Sequence, residues 1–450
     1  MRTLLEKKFF ADVIDVPIQI YGIVKKISPQ SIIISGLSGR ARIGDQVDMH
    51  GQGGVVVRGE IILIEAQDVI VTAYHSVNEL NLGAKAVYLG PQEPRPCQSW
   101  IGKILDHSAR TLEGSMPQQG DSVYNLAAVP PKHRKTVGSR LDTGLAAIDT
   151  FLPLCRGQRL GLFAGSGVGK STLLADLAKS TKADVVILAL VGERGREVRE
   201  FTEKTLGDAG MKKSIVFVAT SDEPPALKLR AAFLAMASAE YFRDQGQHVL
   251  LLFDSLTRFA EAHRSVALSA GETPSLRAYP PSTFQALAQL CERAGPGGEP
   301  KDKHDGGGDI TAVFSVLVAG SNMEEPVADM VRGILDGHIV LDREIAERGR
   351  YPAVDIRRSV SRSLPDCATN FENDSLAHGR RLIGSYEDAR TLIRAGLYQS
   401  GSDDLLDEAV KKYDKIDAFI TMKNNGNAMK SFEDLREILK DVDELSIGEK

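Results

Sequence analysis

The run Leu160-Gly161-Leu162-Phe163-Ala164-Gly165-Ser166-Gly167-Val168-Gly169-Lys170-Ser171-Thr172 reads as a buried strand, a glycine-rich turn and the start of a helix. Glycines here let backbone N–H groups turn inward around phosphate oxygens, Lys170 can reach the β and γ oxygens, and the Ser171 hydroxyl can hold Mg2+. Leu173, Leu174, Leu177 and Ala178 supply the apolar face of the following helix, which is the context this motif requires. Gly165 to Thr172 is therefore a phosphate-binding loop. One position departs from the strict pattern, Ala164 where glycine is usual.

Two carboxylates follow apolar strands and could act on a bound triphosphate. Val249 to Phe253 runs into Asp254, and in a doubly wound sheet ligands sit at the carboxyl ends of the strands. Asp254 is expected beside Ser171 as the acid on the Mg2+ side, with a helix N-cap as its plainer alternative. Val185 to Val191 leads into Gly192-Glu193-Arg194-Gly195-Arg196-Glu197, where a carboxylate could orient the water that attacks the γ-phosphate. Glu193 is the candidate, although residue chemistry leaves Glu193 and Glu197 nearly equal and a solvated charge cluster is the bland reading. An arginine that neutralises transition-state charge adds a factor of about 10³ to 10⁵. Arg357, Arg358 and Arg362 all qualify, for the same or a neighbouring subunit's nucleotide. Tyr351 and Tyr398 are aromatic candidates for an adenine stack.

These residues need a scaffold of several domains, since 450 residues exceed one ordinary core. From Ile18 to Leu89, short β-branched runs at Ile32 to Ile34, Val55 to Val57, Ile61 to Ile64 and Val69 to Thr72 alternate with turn residues, the pattern of a small β-barrel. Gly90 to Pro96 marks the boundary. Beyond it, apolar runs at Arg159 to Phe163, Val185 to Val191, Ile215 to Ala219, Val249 to Phe253, Thr311 to Val318 and His338 to Leu341 suit a parallel sheet covered on both faces. Glu299 to Asp309 reads as a mobile surface loop within that sheet. After Pro365 helical spacing takes over, with a frayed end at Leu445 to Lys450. The expected segments are 1–90, a short N-terminal stretch and barrel; 91–365, the α/β core; and 366–450, a helical domain.

Composition excludes several classes. Neither a long apolar run nor a signal-peptide pattern occurs, so a cytoplasmic protein without a span is expected. The four cysteines, Cys97, Cys155, Cys291 and Cys367, form no C-x-x-C pair, and ordinary reduced thiols are expected instead of a zinc site or disulfide framework. A net charge of -5 gives no global electrostatic reason for nucleic-acid binding.

Order and wording of the motifs resemble the hexameric RecA-like ATPases that include the F-type and V-type catalytic subunits. Pro352-Ala353-Val354-Asp355-Ile356-Arg357-Arg358-Ser359-Val360-Ser361 fits that family's signature. Phe163 to Ser171, Gly192 to Val198, Asp254-Ser255-Leu256-Thr257-Arg258-Phe259-Ala260 and Tyr279-Pro280-Pro281-Ser282-Thr283-Phe284 are similar to the protein-export ATPases of type III secretion and the bacterial flagellum. That branch usually carries the Ala164 found here. Arg394-Ala395-Gly396-Leu397-Tyr398-Gln399-Ser400-Gly401-Ser402-Asp403, with Asp407 and Ala409, resembles the export pattern over the rotary one.

The resemblance implies an α/β RecA-like core with an N-terminal β-barrel and a C-terminal α-helical domain, hydrolysing ATP with Mg2+. It assigns Lys170 and Ser171 to phosphate and Mg2+, Glu193 as catalytic carboxylate with Arg194 beside it, Asp254 as the Mg2+-side acid, Arg362 as the trans-acting arginine and Tyr351 as the adenine-stacking aromatic. It implies a homohexamer at the inner face of the cytoplasmic membrane. Its partners would be a stator-like regulatory subunit, a central stalk protein, export chaperones and substrates, and the membrane export gate. A flagellar system is favoured over a virulence system. A non-hydrolysing rotary subunit is disfavoured by the acidic Glu193. A ring RNA translocase is disfavoured because the barrel offers only Tyr21, Tyr74 and Tyr88, without a paired aromatic motif. Two departures stand out: only Leu4, Leu5, Phe9 and Phe10 precede the barrel as docking residues, and Gly102 to Arg110 replaces the usual Asp-Gly-Leu-Gly turn.

Overall fold

The computed structural model describes residues 19–131, 133–275, 278–298, 307–319, 323–424 and 427–440. The expected docking residues Leu4 to Phe10, most of the Glu299 to Asp309 loop and the Leu445 to Lys450 end lie outside the described residues. Two compact units form, one built on the barrel and the other on the sheet together with the C-terminal helices.

Six antiparallel strands close the barrel: β1 (Tyr21–Ile27), β2 (Ile32–Ser35), β3 (Gln46–His50), β4 (Val56–Ile64), β5 (Asp68–Ala73) and β6 (Lys85–Gly90), in the order β1-β2-β5-β4-β3-β6. Alternate residues point inward, so Val24, Ile32, Ile34, Val47, Met49, Val57, Ile61, Val69 and Val71 fill its core. The runs Val55 to Val57 and Ile61 to Ile64 belong largely to one strand, β4, which passes through Gly59. A Cβ there would lie 2.6 Å from Val71 Cγ1 and 2.7 Å from the Thr72 carbonyl oxygen, so only glycine lets β4 approach β5 this closely.

In the second unit, nine strands form a mainly parallel sheet: β7 (Ile104–Leu105), β8 (Arg159–Ala164), β9 (Val185–Glu193), β10 (Ser214–Thr220), β11 (His248–Asp254), β12 (Gly295–Pro296), β13 (Asp309–Leu317), β14 (Gly337–Leu341) and β15 (Val360–Ser361). Their order is β15-β14-β8-β13-β11-β9-β10-β7, with β12 paired to β13; only β12 and β15 run antiparallel to their neighbours. The central strands are buried throughout because helices cover the sheet. Among the covering helices are α1 (Lys170–Ser180), α2 (Pro225–Asp244) and α3 (Leu256–Ser269). The departure at Gly102 to Arg110 makes the edge strand β7 and a turn in which Asp106 accepts from the Ser108 and Arg110 N–H groups.

Three helices are the last elements among the described residues: α4 (Asn370–Arg394), α5 (Asp404–Ile420) and α6 (Ala428–Leu439). Each starts at a side-chain cap. Thr369 and Glu372 form a reciprocal capping box, Asp403 accepts from the Leu406 N–H, and Asn427 accepts from the Lys430 N–H. Leu376, Leu382, Ile416, Phe419 and Leu435 join the same buried cluster as Phe151 and Leu162 of the core. No helix among the described residues is long and apolar enough to cross a membrane.

Candidate active site

Strand β8 delivers the phosphate-binding loop. Gly167 and Gly169 have φ of 78° and 88°, the left-handed region that favours glycine, and Gly169 is the N-cap of α1. Ala164, by contrast, is the buried last residue of an extended strand, where a methyl group is no obstacle. Val168 is buried and anchors the loop, whereas Ser166, Gly167, Ser171 and Thr172 are exposed to an incoming ligand. No acidic residue occupies the first turn of α1, leaving its N-terminal amides and partial positive charge available to an anion. Tyr351, half exposed, sits against this loop: a Cβ on Gly169 would meet its ring at 3.2 Å.

Lys170 joins the strand ends. Its ammonium lies 2.5 Å from Asp254 Oδ1 at the end of β11 and 3.4 Å from Glu193 Oε1 at the end of β9. These strands are neighbours in parallel register. The Asp254 side chain is only 5% exposed and accepts a second hydrogen bond from the Ser315 hydroxyl at 2.5 Å. It is thus held by Lys170 and Ser315, not used as a helix cap. Burial raises the proton affinity of Glu193; Lys170 opposes that shift and the Asp254 charge adds to it. A carboxylate with raised basicity at this place can orient a water and share its proton.

Geometry separates candidates that residue chemistry left open. Glu197 pairs with Arg194 at 3.3 Å, in an exposed contact at the start of the helix Gly195–Glu200, while Glu193 turns to Lys170. Tyr398 donates to Asp407 at 2.6 Å. Arg357 is bound to Asp388 at 2.7 Å and Arg358 faces Asp342 at 3.5 Å. Arg362 is exposed; among the described residues its guanidinium meets a backbone carbonyl, that of Arg332 at 3.4 Å, and no carboxylate. It is not brought to Lys170 within the chain. Strand β15 pairs with the first residues of β14, so Arg362 leaves the amino-terminal edge of the sheet, opposite the loop that follows β8.

Two residues near the site had no role assigned from the sequence. Ser315 is a hydroxyl within the apolar run of β13, and nothing in the sequence ties it to Asp254. Arg258 lies over Gly192, where a Cβ would meet its side chain at 2.9 Å. Its pKa is raised first by the hydrogen bond to Glu261 and also by the charges of Glu193 and Asp254.

A phosphate-binding loop on the third strand from one sheet edge, with two carboxylates at neighbouring strand ends sharing its lysine, defines a RecA-like nucleotide-binding ATPase. Comparison with known proteins narrows the class. Residues 144–361 match the ATP synthase alpha/beta family, nucleotide-binding domain, and residues 372–441 match the T3SS EscN ATPase C-terminal domain. The chain is 42% identical over 412 residues to the flagellum-specific ATP synthase of Caulobacter vibrioides, covering 90% of this chain and 92% of that protein. It is similar to the assembled ATPase EscN from the type III secretion system of enteropathogenic E. coli, with a TM-score of 0.84 at 36% identity, covering 93% of this chain and all of that one. The same ATPase in complex with its central stalk EscO gives a TM-score of 0.83 at 37% identity over 93% and 100% of the two chains. The chain belongs to the family of flagellum-specific ATP synthases and type III secretion ATPases, a branch of the ATP synthase alpha/beta family, and is an export ATPase.

Proposed function

We propose that this chain is the ATP-hydrolysing motor subunit of a flagellar type III export apparatus, driving chaperone release and delivery of substrates to a membrane export gate. The observation that carries the reading is the Lys170 ammonium shared between Asp254 and Glu193. The donor set suits Mg2+ as well: the Ser171 hydroxyl and the Asp254 carboxylate are hard oxygen ligands at the loop and the adjoining strand end. Mg2+ bound there would neutralise charge on the β and γ oxygens and orient them for in-line attack.

The remaining roles fall to the protein. Gly165 to Thr172 wrap the phosphates with backbone amides. Lys170 turns its charge from the carboxylates to the phosphate oxygens, and Glu193, released from it, holds the attacking water and takes up its proton. Arg194 shapes the turn that presents Glu193, and Tyr351 stacks on the adenine. Arg362, remote from its own loop, completes the site of a neighbouring subunit, so a closed ring of identical chains is required, and six is the family's number. Three functional segments follow: 1–90 for ring contacts, 91–365 for nucleotide, 366–450 for substrates and the gate. A central stalk protein fills the ring, as the EscN–EscO complex suggests, and a stator-like subunit regulates it at the cytoplasmic face of the membrane. RNA translocation is not supported: among the described barrel tyrosines Tyr74 is buried, Tyr88 is half-buried and Tyr21 is exposed, which is not a row of stacking faces.

The test is ATP turnover per chain against protein concentration, with and without Mg2+ and RNA, for wild type and Lys170→Ala. Turnover that needs Mg2+, rises with concentration, ignores RNA and is lost in the variant fits the proposal; concentration-independent turnover sinks the ring. Restored swimming in a strain lacking its flagellar export ATPase supports the flagellar assignment. Restored secretion of virulence substrates without swimming would transfer the chain to a virulence system.

A further inference from the structure

Two of the four cysteines, far apart in the sequence, meet in the fold. Cys155, buried in the turn before β8, and Cys367, half-buried in the segment after β15, bring their thiols within hydrogen-bonding reach. Both line a cavity of about 420 Å3 together with Thr136, Asp336, Arg362 and Ser363. Arg140 pairs with Cys155 through an isolated backbone bridge, and its Nη2 holds Glu372 at 3.1 Å. Its buried Nη1 has no hydrogen-bond partner. A guanidinium with an unused donor acting on two adjacent thiols favours loss of one proton from the pair. Hydrogen bonding from Cys367, with help from Ser363 and Arg140 and against the effect of burial, draws the Cys155 thiol down to about 7, and the same bond pushes the Cys367 thiol up. Cys291 is the contrast: burial foremost, opposed by the Arg159 charge and aided by that of Glu292, drives it up to about 12.

We propose that Cys155 and Cys367 form a peroxide-sensitive thiol pair whose disulfide locks the segment carrying Arg362. The oxidant is a hydroperoxide. The thiolate attacks one peroxide oxygen, the O–O bond breaks, and hydroxide leaves as a sulfenic acid forms. The second thiol then displaces that hydroxyl as water, forming the S–S bond. Two electrons pass from the sulfurs to the peroxide, and two thiols plus hydrogen peroxide become one disulfide plus two waters. In a reducing compartment such a bond is transient and reversed by dithiols.

The consequence for Arg362 follows from what already holds its segment. Ser361 donates to the Pro153 carbonyl at 2.7 Å and accepts from Gln158 at 3.2 Å, and the Arg362 N–H donates to the Asp336 carbonyl at 3.0 Å. The cross-link would fasten the far end of the same segment at Cys155, so Arg362 would sit between two anchors. The thiol chemistry stands independently of the proposed function; only the effect on turnover rests on the role given to Arg362.

The test treats the reduced full-length protein with hydrogen peroxide, blocks remaining thiols, maps linked peptides by mass spectrometry and measures ATP turnover on the same samples. A peptide joining Cys155 to Cys367 is expected, with turnover falling in step with the linked fraction and both changes reversed by dithiothreitol. Cys367→Ser, at a partly exposed position, should keep the reduced-state turnover and lose both responses, and Cys155→Ala should lose the cross-link from the other side. Absence of the linked peptide at doses that oxidise Cys97 overturns the site. A linked peptide with unchanged turnover, or an equal loss of turnover in Cys367→Ser, overturns the lock.

Discussion

An equimolar mixture of Glu193→Gln and Arg362→Ala chains should recover turnover that neither has alone. The basis is the placement of the two residues at opposite edges of one sheet. Ser361 pairs with Gly337 at the start of β14, whereas Glu193 is the carboxyl-terminal residue of β9 and Lys170 lies past the carboxyl end of β8. A strand of six residues such as β8 spans about 20 Å at roughly 3.3 Å per residue. No arginine side chain bridges that distance, so a site that uses Arg362 must borrow it from a neighbour. Removing such an arginine lowers turnover by about 10³ to 10⁵, and removing a water-positioning carboxylate lowers it by about 10² to 10⁴. In a randomly mixed ring a site works when its own chain keeps Glu193 and its neighbour keeps Arg362, each with odds of about one half, so about one quarter of wild-type turnover returns. Phosphate release from rings reassembled out of dissociated chains measures this directly. A mixture no more active than the mean of its two parents would refute the shared site, as would near-normal turnover by Arg362→Ala alone.

Other consequences concern stability and binding. Because burial raises the Glu193 pKa, its stabilising contribution is present below the unfolded carboxylate range and lost as pH rises through the folded value. Glu193→Gln should therefore melt higher than wild type at neutral pH, with the gap closing in acid; thermal scans across pH check this, and a lower melting point at neutral pH contradicts it. Arg293, 2% exposed, holds Glu240 through two hydrogen bonds of 2.9 and 2.7 Å, so Arg293→Met, which strands a buried carboxylate, should cost about 3–5 kcal/mol in denaturant unfolding. Gly169→Ala puts a methyl group at a φ of 88° and 3.2 Å from the Tyr351 ring. The strain, about 1–2 kcal/mol, should weaken binding of a fluorescent ATP analogue while the far-ultraviolet circular dichroism stays unchanged.

The central sheet was legible because its strands are buried on both faces and read as continuous apolar runs. The barrel was only partly so. Strands β1, β3 and β6 place Lys25 and Lys26, Asp48, and Lys85 on their outward positions, and these charges hide short strands among turn residues. The phosphate-binding loop declares itself because its glycines, lysine and hydroxyl are adjacent in sequence. The rest of the site is assembled across strands. Glu193 parts from Glu197 only through a lysine brought from the start of α1, Ser315 acquires meaning only from Asp254, and Cys155 meets Cys367 only because β15 folds back beside β14. The choice among Arg357, Arg358 and Arg362 likewise depends on which guanidinium is taken by a carboxylate, a property of packing that composition does not carry.

One stretch ties these parts together. Tyr351 touches the phosphate-binding loop at its start, and Arg362 leaves the opposite edge of the sheet at its end. Between them, Arg380 of α4 donates to the carbonyls of Ile356 at 2.7 Å and Ser359 at 3.4 Å, and to that of Phe151 at 2.8 Å. Arg348 and Arg350 flank the start and reach Glu387 and Asp417 of the helical region at 3.5 and 3.4 Å. The C-terminal helices thus grip the stretch that runs from Tyr351, against the phosphate-binding loop, to Arg362 at the opposite edge of the sheet. A load on those helices would reach the stretch through these part-buried hydrogen bonds and ion pairs. Such contacts are the physical link a coupling between the helical region and the core would need: Arg380→Ala, which removes three of them, should lower turnover and leave the far-ultraviolet circular dichroism unchanged if load passes this way, and unchanged turnover would refute it.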